Sequence, residues 1–216
     1  MVVTNSKTQK LKVIKLLLPS DDTNISVFSA LQQRKTTREI SEKPLSLQQI
    51  SNVLWAGCGV NRKEGPFGVV GITAASASNS QEVELYVAFK DGVYLYESRK
   101  NQLSPVLAGD LRELALTPHQ SGVNAHAHMQ IIYVADIHRQ THTEGFQEPS
   151  LHDVEGQKAY YFVDTGIIAG NIYLYAASQG LAAWFHNCDR VKLAKKLGLR
   201  PEQRVLFAHS VGFPKT

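Results

Sequence analysis

One run constrains this chain more than any other feature. Gln157 to Gly180, QKAYYFVDTGIIAGNIYLYAASQG, reads as a long helix that is apolar on nearly every side. A helix without a polar stripe is buried on most of its faces, so the run predicts a central core helix with Gly180 as its stop. Gly166, Ala169, Gly170, Ala176 and Ala177 leave little side-chain bulk, so another backbone can approach closely, within the domain or across a dimer interface. The most apolar part, Ile167 to Ala177, contains Gly170 and Asn171 and is too short to span a bilayer.

The rest of the chain supplies strands and shorter helices. Its 216 residues suit one domain, and 43% hydrophobic against 19% charged residues argue against wholesale disorder. Residues 1–24 read as a lead-in segment and residues 25–216 as the domain. Ser26 can cap a short helix through Gln33. Pro44 interrupts the chain, and Ser46 with Gln49 forms a capping-box pattern for a helix that Gly57 and Gly59 end. Residues 60–80 read as a long loop with room for one helical turn, the kind that is more often functional than idle. Val83–Phe89 and Val93–Glu97 alternate around Lys90-Asp91-Gly92, which predicts a hairpin with Asp-Gly supplying a positive φ. Asp110–Leu116 suggests a short helix, Gln130–Ala135 a strand, and residues 136–156 an unpatterned polar stretch. A strand at Leu181–Phe185, a basic helix at Arg190–Leu197 and a strand at Arg204–Val211 complete an α+β pattern.

The charge balance is mildly basic, with Lys+Arg 23 against Asp+Glu 19. Three basic groups stand out: Lys7–Lys15, Arg34–Arg38 and Arg190–Lys196. Each reads as a solvated surface unless other residues join it. A nucleic-acid or partner-binding domain is one alternative, but no aromatic residue interleaves with Arg34–Arg38, which weighs against single-strand binding. The N-terminal lysines are not followed by a signal-peptide core, and Cys58 and Cys188 read as free thiols, so a cytoplasmic protein is expected.

Three constellations carry possible chemistry. Arg34-Lys35-Thr36-Thr37-Arg38 offers cations and hydroxyls that suit a phosphate, or equally an exposed helix end. Thr73 to Gln81, TAASASNSQ, is small enough for a flat ligand to lie on backbone, and Asn79 and Gln81 carry the donors and acceptors that an imide edge requires, although an ordinary polar loop looks the same. His186-Asn187-Cys188-Asp189 stands where a strand meets a helix, which suits backbone donation to a ligand or simple helix capping. His126 with His128, and His138 with His142, have spacings that occur in metal sites, but no partner completes a set, so a structural or surface role is expected and no metal.

In order along the chain, these segments resemble the nitroreductase family of FMN-dependent oxidoreductases. RKTTREI at Arg34–Ile40 is similar to the family's Arg-Arg-Ser-x-Arg-x-Phe. LQQISNVLWAGCGVNR at Leu47–Arg62 is similar to its next helix and Gly-x-Asn-Arg. AASASNSQ at Ala74–Gln81 is similar to Ala-Pro-Ser-Ala-x-Asn-x-Gln, with Ala75 in the usual place of Pro. DTGIIAGNIYLYAASQGL at Asp164–Leu181 resembles the long helix, and VGFP at Val211–Pro214 the closing Val-Gly-Tyr-Pro. The segments DGVYLYE and AGDLRELAL are similar to the branch that includes the azoline oxidases, but Ser78-Asn79-Ser80-Gln81-Glu82 replaces that branch's Gly-Ala-Leu-Tyr-Pro, so its catalytic Lys and Tyr are not carried over.

The resemblance implies an α-β-α three-layer sandwich with a mostly antiparallel sheet and a long buried helix, assembled as a homodimer. It implies FMN as cofactor, with Arg34, Lys35, Thr36 and Arg38 on its phosphate and ribityl chain, and Ser76, Ala77, Asn79 and Gln81 of the other copy meeting the ring. It places the Asn187-Cys188 backbone near flavin N5 and Lys215 within reach of the phosphate, though the tail stops at Thr216, short of the family's usual basic residues. The implied reaction is ping-pong hydride transfer from NAD(P)H to a nitroaromatic, a quinone or a similar acceptor, with no catalytic side chain. A flavin-binding dimer without catalysis is the alternative within the same resemblance.

Overall fold

Hydroxyl caps start the first helices of the computed structural model, which describes residues 10–20, 24–120, 122, 127–145 and 152–215. Ser26 Oγ accepts from the Ser29 N–H and opens α1, Val27–Gln33. Ser46 and Gln49 cap each other reciprocally and open α2, Leu47–Cys58. Gly59, not Gly57, is the stop of α2. Gly57 lies inside the helix, where a Cβ would come within 3.1 Å of Ile172 and 3.3 Å of Ile168, so it is there for close packing.

The main sheet has seven strands in the order β1-β6-β5-β4-β7-β9-β8, every neighbouring pair antiparallel. They are β1 Ile14–Lys15, β4 Val83–Ala88, β5 Gly92–Glu97, β6 Gln102–Ala108, β7 Met129–Asp136, β8 Ala182–His186 and β9 Gln203–Gly212. A two-stranded ribbon, β2 Val60–Arg62 and β3 Gly71–Ile72, stands apart. Strand alternation sorts side chains into two cores. Leu85 and Val87 of β4, with Ile131 and Tyr133 of β7, face α2 and α4 (Val154–Ser178). Tyr86, Ala88, Ile132 and Val134 face α5 (Arg190–Leu197) and a 3-10 turn at Arg112–Ala115. Every residue of β7 is buried, as a central strand covered on both sides requires. This is the expected three-layer α+β architecture.

Several expectations are corrected in detail. The hairpin β4–β5 is present, but Lys90, Asp91 and Gly92 all keep ordinary φ, so a positive φ is not what Asp-Gly supplies. Residues 60–80 contain the expected helical turn, a 3-10 turn at Ala77–Asn79, but they are not otherwise all loop, since β2 pairs with β3 there. Residues 136–156 include the helix α3, Ile137–Thr141, capped by Asp136. The Asp110–Leu116 helix is the 3-10 turn already named. The long helix starts three residues earlier than expected, because Asp153 accepts from the Gly156 N–H and caps it.

Among the described residues the long helix is covered on one side only. Tyr161, Asp164, Thr165, Ile168, Ala169, Ile172 and Ala176 are buried, while Val154 (61%) and Val163 (59%) stand exposed beside Phe162 and Ile167. A Cβ added at Gly166 or Gly170 would meet nothing within 4 Å. Among the described residues no helix is long and apolar enough to cross a membrane.

Candidate functional site

The long helix α4 is the rail on which the candidate residues are hung. Asp164 reaches the turn at residue 77, Asn171 Nδ2 donates to Thr73 O at 3.3 Å, and the Tyr173 hydroxyl lies 3.2 Å from Thr36 Oγ1. Positions 164 and 173 are nine residues apart, which is about 13 Å along a helix at 1.5 Å per residue. The cationic segment and the small-residue segment are therefore held at two separate stations of one chain.

At the first station, α1 ends because Arg34 takes ψ 119 and leaves the helical path, its N–H still donating to Ala30 O. The following residues run between β8 and the chain's C-terminal arm. The Thr37 N–H donates to Ala183 O, Ile40 bridges Pro214, and the Lys215 N–H donates to Glu39 O. Arg34 lies 5.5 Å above the Tyr173 ring and Arg38 5.8 Å from the Trp184 ring. The Phe185 N–H donates to the Tyr173 hydroxyl at 2.8 Å, which fixes the ring under Arg34. Lys35 and Lys215 line a cleft of about 670 Å³, with Thr37, Gly180, Ala182 and Ala183 among its walls. Among the described residues no carboxylate pairs with Arg34, Lys35, Arg38 or Lys215. Lys35 and Lys215 on this cleft, with Arg34 and Arg38 on the adjoining segment, suit a phosphate group, while Glu39 also lines the cleft. Lys215, 180 residues away in sequence, thus joins the run that sequence reading grouped it with. Tyr173 and Trp184 were not foreseen, since nothing local marks an aromatic residue as a shelf for a distant guanidinium.

At the second station the chain is strained. Ser78, Asn79 and Gln81 have φ of 51°, 51° and 49°, a region that side-chain-bearing residues enter only when their surroundings hold them there. The Ala77 N–H donates to Asp164 Oδ2 at 2.9 Å and Ser78 Oγ donates to Gly145 O at 3.0 Å. Both amides turn inward. Asn79 Nδ2 donates to Pro66 O and Val69 O, and Gln81 Nε2 to Val70 O and Asn79 Oδ1. Each side-chain amide has two N–H donors, so those of Asn79 and Gln81 are committed inside the segment. The donor-bearing imide edge read from the sequence is not presented. What the segment offers is its small residues, Ser76 and Ala77, and its fixed backbone.

Two buried carboxyl groups lie beneath this turn. Asp164 is 4% exposed and Glu82 0%. Burial, then the neighbouring charge of Glu82, pushes the Asp164 carboxyl up to about 7. Glu82 Oε2 accepts from Ser80 Oγ at 2.6 Å, whereas its Oε1 has no partner among the described residues.

At the third group, Asn187 is exposed and Asp189 caps α5, its side chain accepting from the Lys192 N–H. The Cys188 side chain points into the core under α5, and burial pushes its thiol up to about 12. The buried thiol therefore offers no chemistry. Neighbouring His186 is also buried, which pushes it down to about 4. Its Nδ1 lies 2.8 Å from Asn187 O and its Nε2 2.9 Å from Ser210 Oγ. Of the paired histidines, His126 lies outside the described residues. His128 Nδ1 accepts from the Leu45 N–H, and the His138 and His142 rings stack at 3.9 Å. The described residues contain no cluster of three metal-ligating side chains.

The comparisons with known proteins agree with one another. The profile of the Nitroreductase family matches residues 31–213. A protein of Methanocaldococcus jannaschii that bears the name nitroreductase is 29% identical over 168 residues, 74% of this chain and 78% of that one. A crystal structure from Ralstonia eutropha JMP134, also named for a nitroreductase, aligns with a TM-score of 0.79 at 29% identity, covering 94% of this chain and 90% of that one. The NADPH:FMN oxidoreductase of Vibrio harveyi, solved with NAD+, aligns with a TM-score of 0.60 at 20% identity over 88% of this chain and 69% of its own, a likeness of fold.

Proposed function

The chain belongs to the nitroreductase family, and from that premise we propose that this oxidoreductase binds FMN and carries reducing equivalents from NAD(P)H to a small oxidised acceptor such as a nitroaromatic or a quinone. The observation that carries the reading is the set of unpaired cations, Arg34, Lys35, Arg38 and Lys215, gathered at one station beside a cleft walled by small residues. Bound FMN would supply the electron-transfer chemistry itself. Arg34, Lys35, Arg38 and Lys215 hold its phosphate, with Thr36 beside the ribityl chain. Ser76, Ala77, Asn79 and Gln81 form a rigid wall for the ring, and the Asn187–Cys188 backbone stands at the reacting edge.

In this reading each site of a pair of copies takes its phosphate station from one copy and its wall from the other. The uncovered face of α4, with Val163, Ile167 and the open space at Gly166 and Gly170, is the surface for that pairing. The free, buried Cys58 and Cys188 suit a reducing, cytoplasmic setting.

The test is to release and identify the chromophore of the purified protein and to measure FMN binding by fluorescence. FMN is the expected chromophore. Arg34→Ala removes a charge-assisted bond and is expected to weaken binding by about 10- to 100-fold, from roughly 1.5–3 kcal/mol. The inward-turned amides of Asn79 and Gln81 favour one second reading, a flavin carrier without turnover. Anaerobic bleaching by NADH or NADPH distinguishes the two, and a flavin that stays oxidised would leave the carrier.

A further inference from the structure

We propose that Glu82 and Asp164 share one proton and act as a positioning pair that holds residues 77–81 in their strained shape, so that ligand binding at this wall depends on that proton. The proposal rests on the reading of the segment as a flavin wall, and it deepens that reading to a pair of residues that touch no ligand.

The geometry is reciprocal. Asp164 on α4 holds the front of the turn through the Ala77 N–H. Glu82 holds its rear through Ser80 Oγ. Between these grips lie Ser78 and Asn79 in the left-handed region, with Gln81 just beyond. Backbone strain of this kind persists only while its surroundings fix it. Both carboxyl groups are buried under the same turn, each holding it through one oxygen, and Glu82 Oε1 lacks any partner among the described residues. A carboxylate has only acceptors, so two of them buried under one turn need a hydrogen between them. A proton on Asp164 supplies it, gives Glu82 Oε1 its missing partner and removes one of two like charges.

Among the described residues the neighbouring cations are engaged elsewhere, and Arg62 of the β2–β3 ribbon lies against Gly71. Helices α1 and α2 carry no charged residue. On β4, Glu84 is itself acidic. Arg139, on α3, is committed to Gln81 O and Glu84 Oε1, and its neighbour His138 stacks on His142. On β8 and β9, His186 and His209 are pushed down to about 4 and about 3 and stay neutral, while Arg204 is turned to Pro201 O and Gln203 O. On α4 itself, Lys158 is paired with Glu155 one turn away from Tyr161. When the proton leaves, two buried negative charges face each other under the turn, and its grips loosen.

FMN affinity is measured from pH 6 to pH 8.5 for the wild type, Asp164→Asn and Glu82→Gln. Either amide mimics the protonated pair: it donates to the facing carboxylate and still accepts from Ala77 or Ser80. Relative to the variants, the wild type is expected to lose about tenfold in affinity over this range, the change that one unit of pKa linkage gives. The same comparison cancels the ionisation of the ligand phosphate. Independently of ligand, infrared spectra of the wild type should show a protonated carboxyl band that titrates near neutral pH and is missing from Asp164→Asn, with Ala77 amide exchange quickening as it disappears. Superimposable binding profiles in wild type and variants, or no such band at pH 6, overturn the proposal. If no FMN binds at any pH, the flavin reading fails, while the infrared band and amide exchange still decide the pair. Should Asp164→Asn not fold, Glu82→Gln makes the same comparison.

Discussion

A methyl group at Gly92 would meet Leu107 O at 2.7 Å and Leu11 Cδ1 at 2.5 Å. The leucine side chain can turn away, but the carbonyl belongs to β6, whose ladder with β5 fixes it. Gly92→Ala is therefore expected to lose about 1–3 kcal/mol in urea unfolding, the range for overpacking. The sequence marks this glycine clearly, but as a turn residue; its real constraint comes from chain segments far from it and cannot be read locally. Buried histidines make the second prediction at this scale. His186 and His209 are pushed down by burial, to about 4 and about 3, from the ordinary value near 6.5. The unfolded chain takes up protons below 6.5 that the native state refuses, so stability falls as pH drops from 6.5 toward 4 and is unaffected by these groups above 6.5. The slope is at most about 1.4 kcal/mol per pH unit per site. His209 Nε2 has no partner among the described residues, and its ring packs among Tyr133, Tyr173 and Phe185. His209→Phe should flatten that acid slope, as followed by urea unfolding at pH 4.5 and 6.5; an unchanged slope would exclude His209 as a contributor.

At the scale of elements, legibility follows the range of the signal. Ser46 and Gln49 announce α2 from four adjacent positions, and the reciprocal cap is present. Ser46→Ala should cost about 1 kcal/mol, read from the midpoint of thermal or urea unfolding, because the Gln49 N–H loses its partner. The strand β6 is the opposite case. Its sequence QLSPVLA contains Pro105 and does not alternate cleanly, so nothing local marks a strand. It is tolerated because β1 pairs only with Gln102 and Leu103, which leaves Pro105 beyond the paired part of its outer side. The ladder to β5 also shifts register there, passing from Leu107 to Pro105. The candidate site divides in the same way. Arg34–Arg38 is legible because five adjacent residues carry it. The aromatic rings under Arg34 and Arg38, and the grip of Asp164 on the Ala77 N–H, depend on contacts across 87 or more residues and emerge only when the chain is folded.

For the whole molecule, the apolar run that dictates the fold also leaves work unfinished. Its inner face packs on α2 and the sheet, and the other face of the same helix exposes Val154, Phe162, Val163 and Ile167. Exposed apolar residues on such a helix, flanking two glycines with open space above them, suit a second backbone at close range. Gly170→Leu separates folding from pairing. Among the described residues a Cβ at position 170 meets nothing within 4 Å, and replacing Gly inside a helix favours the helix by about 0.5–1 kcal/mol. The monomer should therefore be at least as stable as the wild type in unfolding experiments. Across a pair of copies the same side chain would hold the two backbones apart, so sedimentation should report a monomer for the variant and a dimer for the wild type. FMN binding should fall with the dimer although residue 170 stands away from Arg34–Arg38, because each proposed site takes its phosphate grip from one copy and its wall from the other. A variant that remains dimeric would move the interface off this face. A monomeric variant that still binds FMN as the wild type does would place the whole site within one chain.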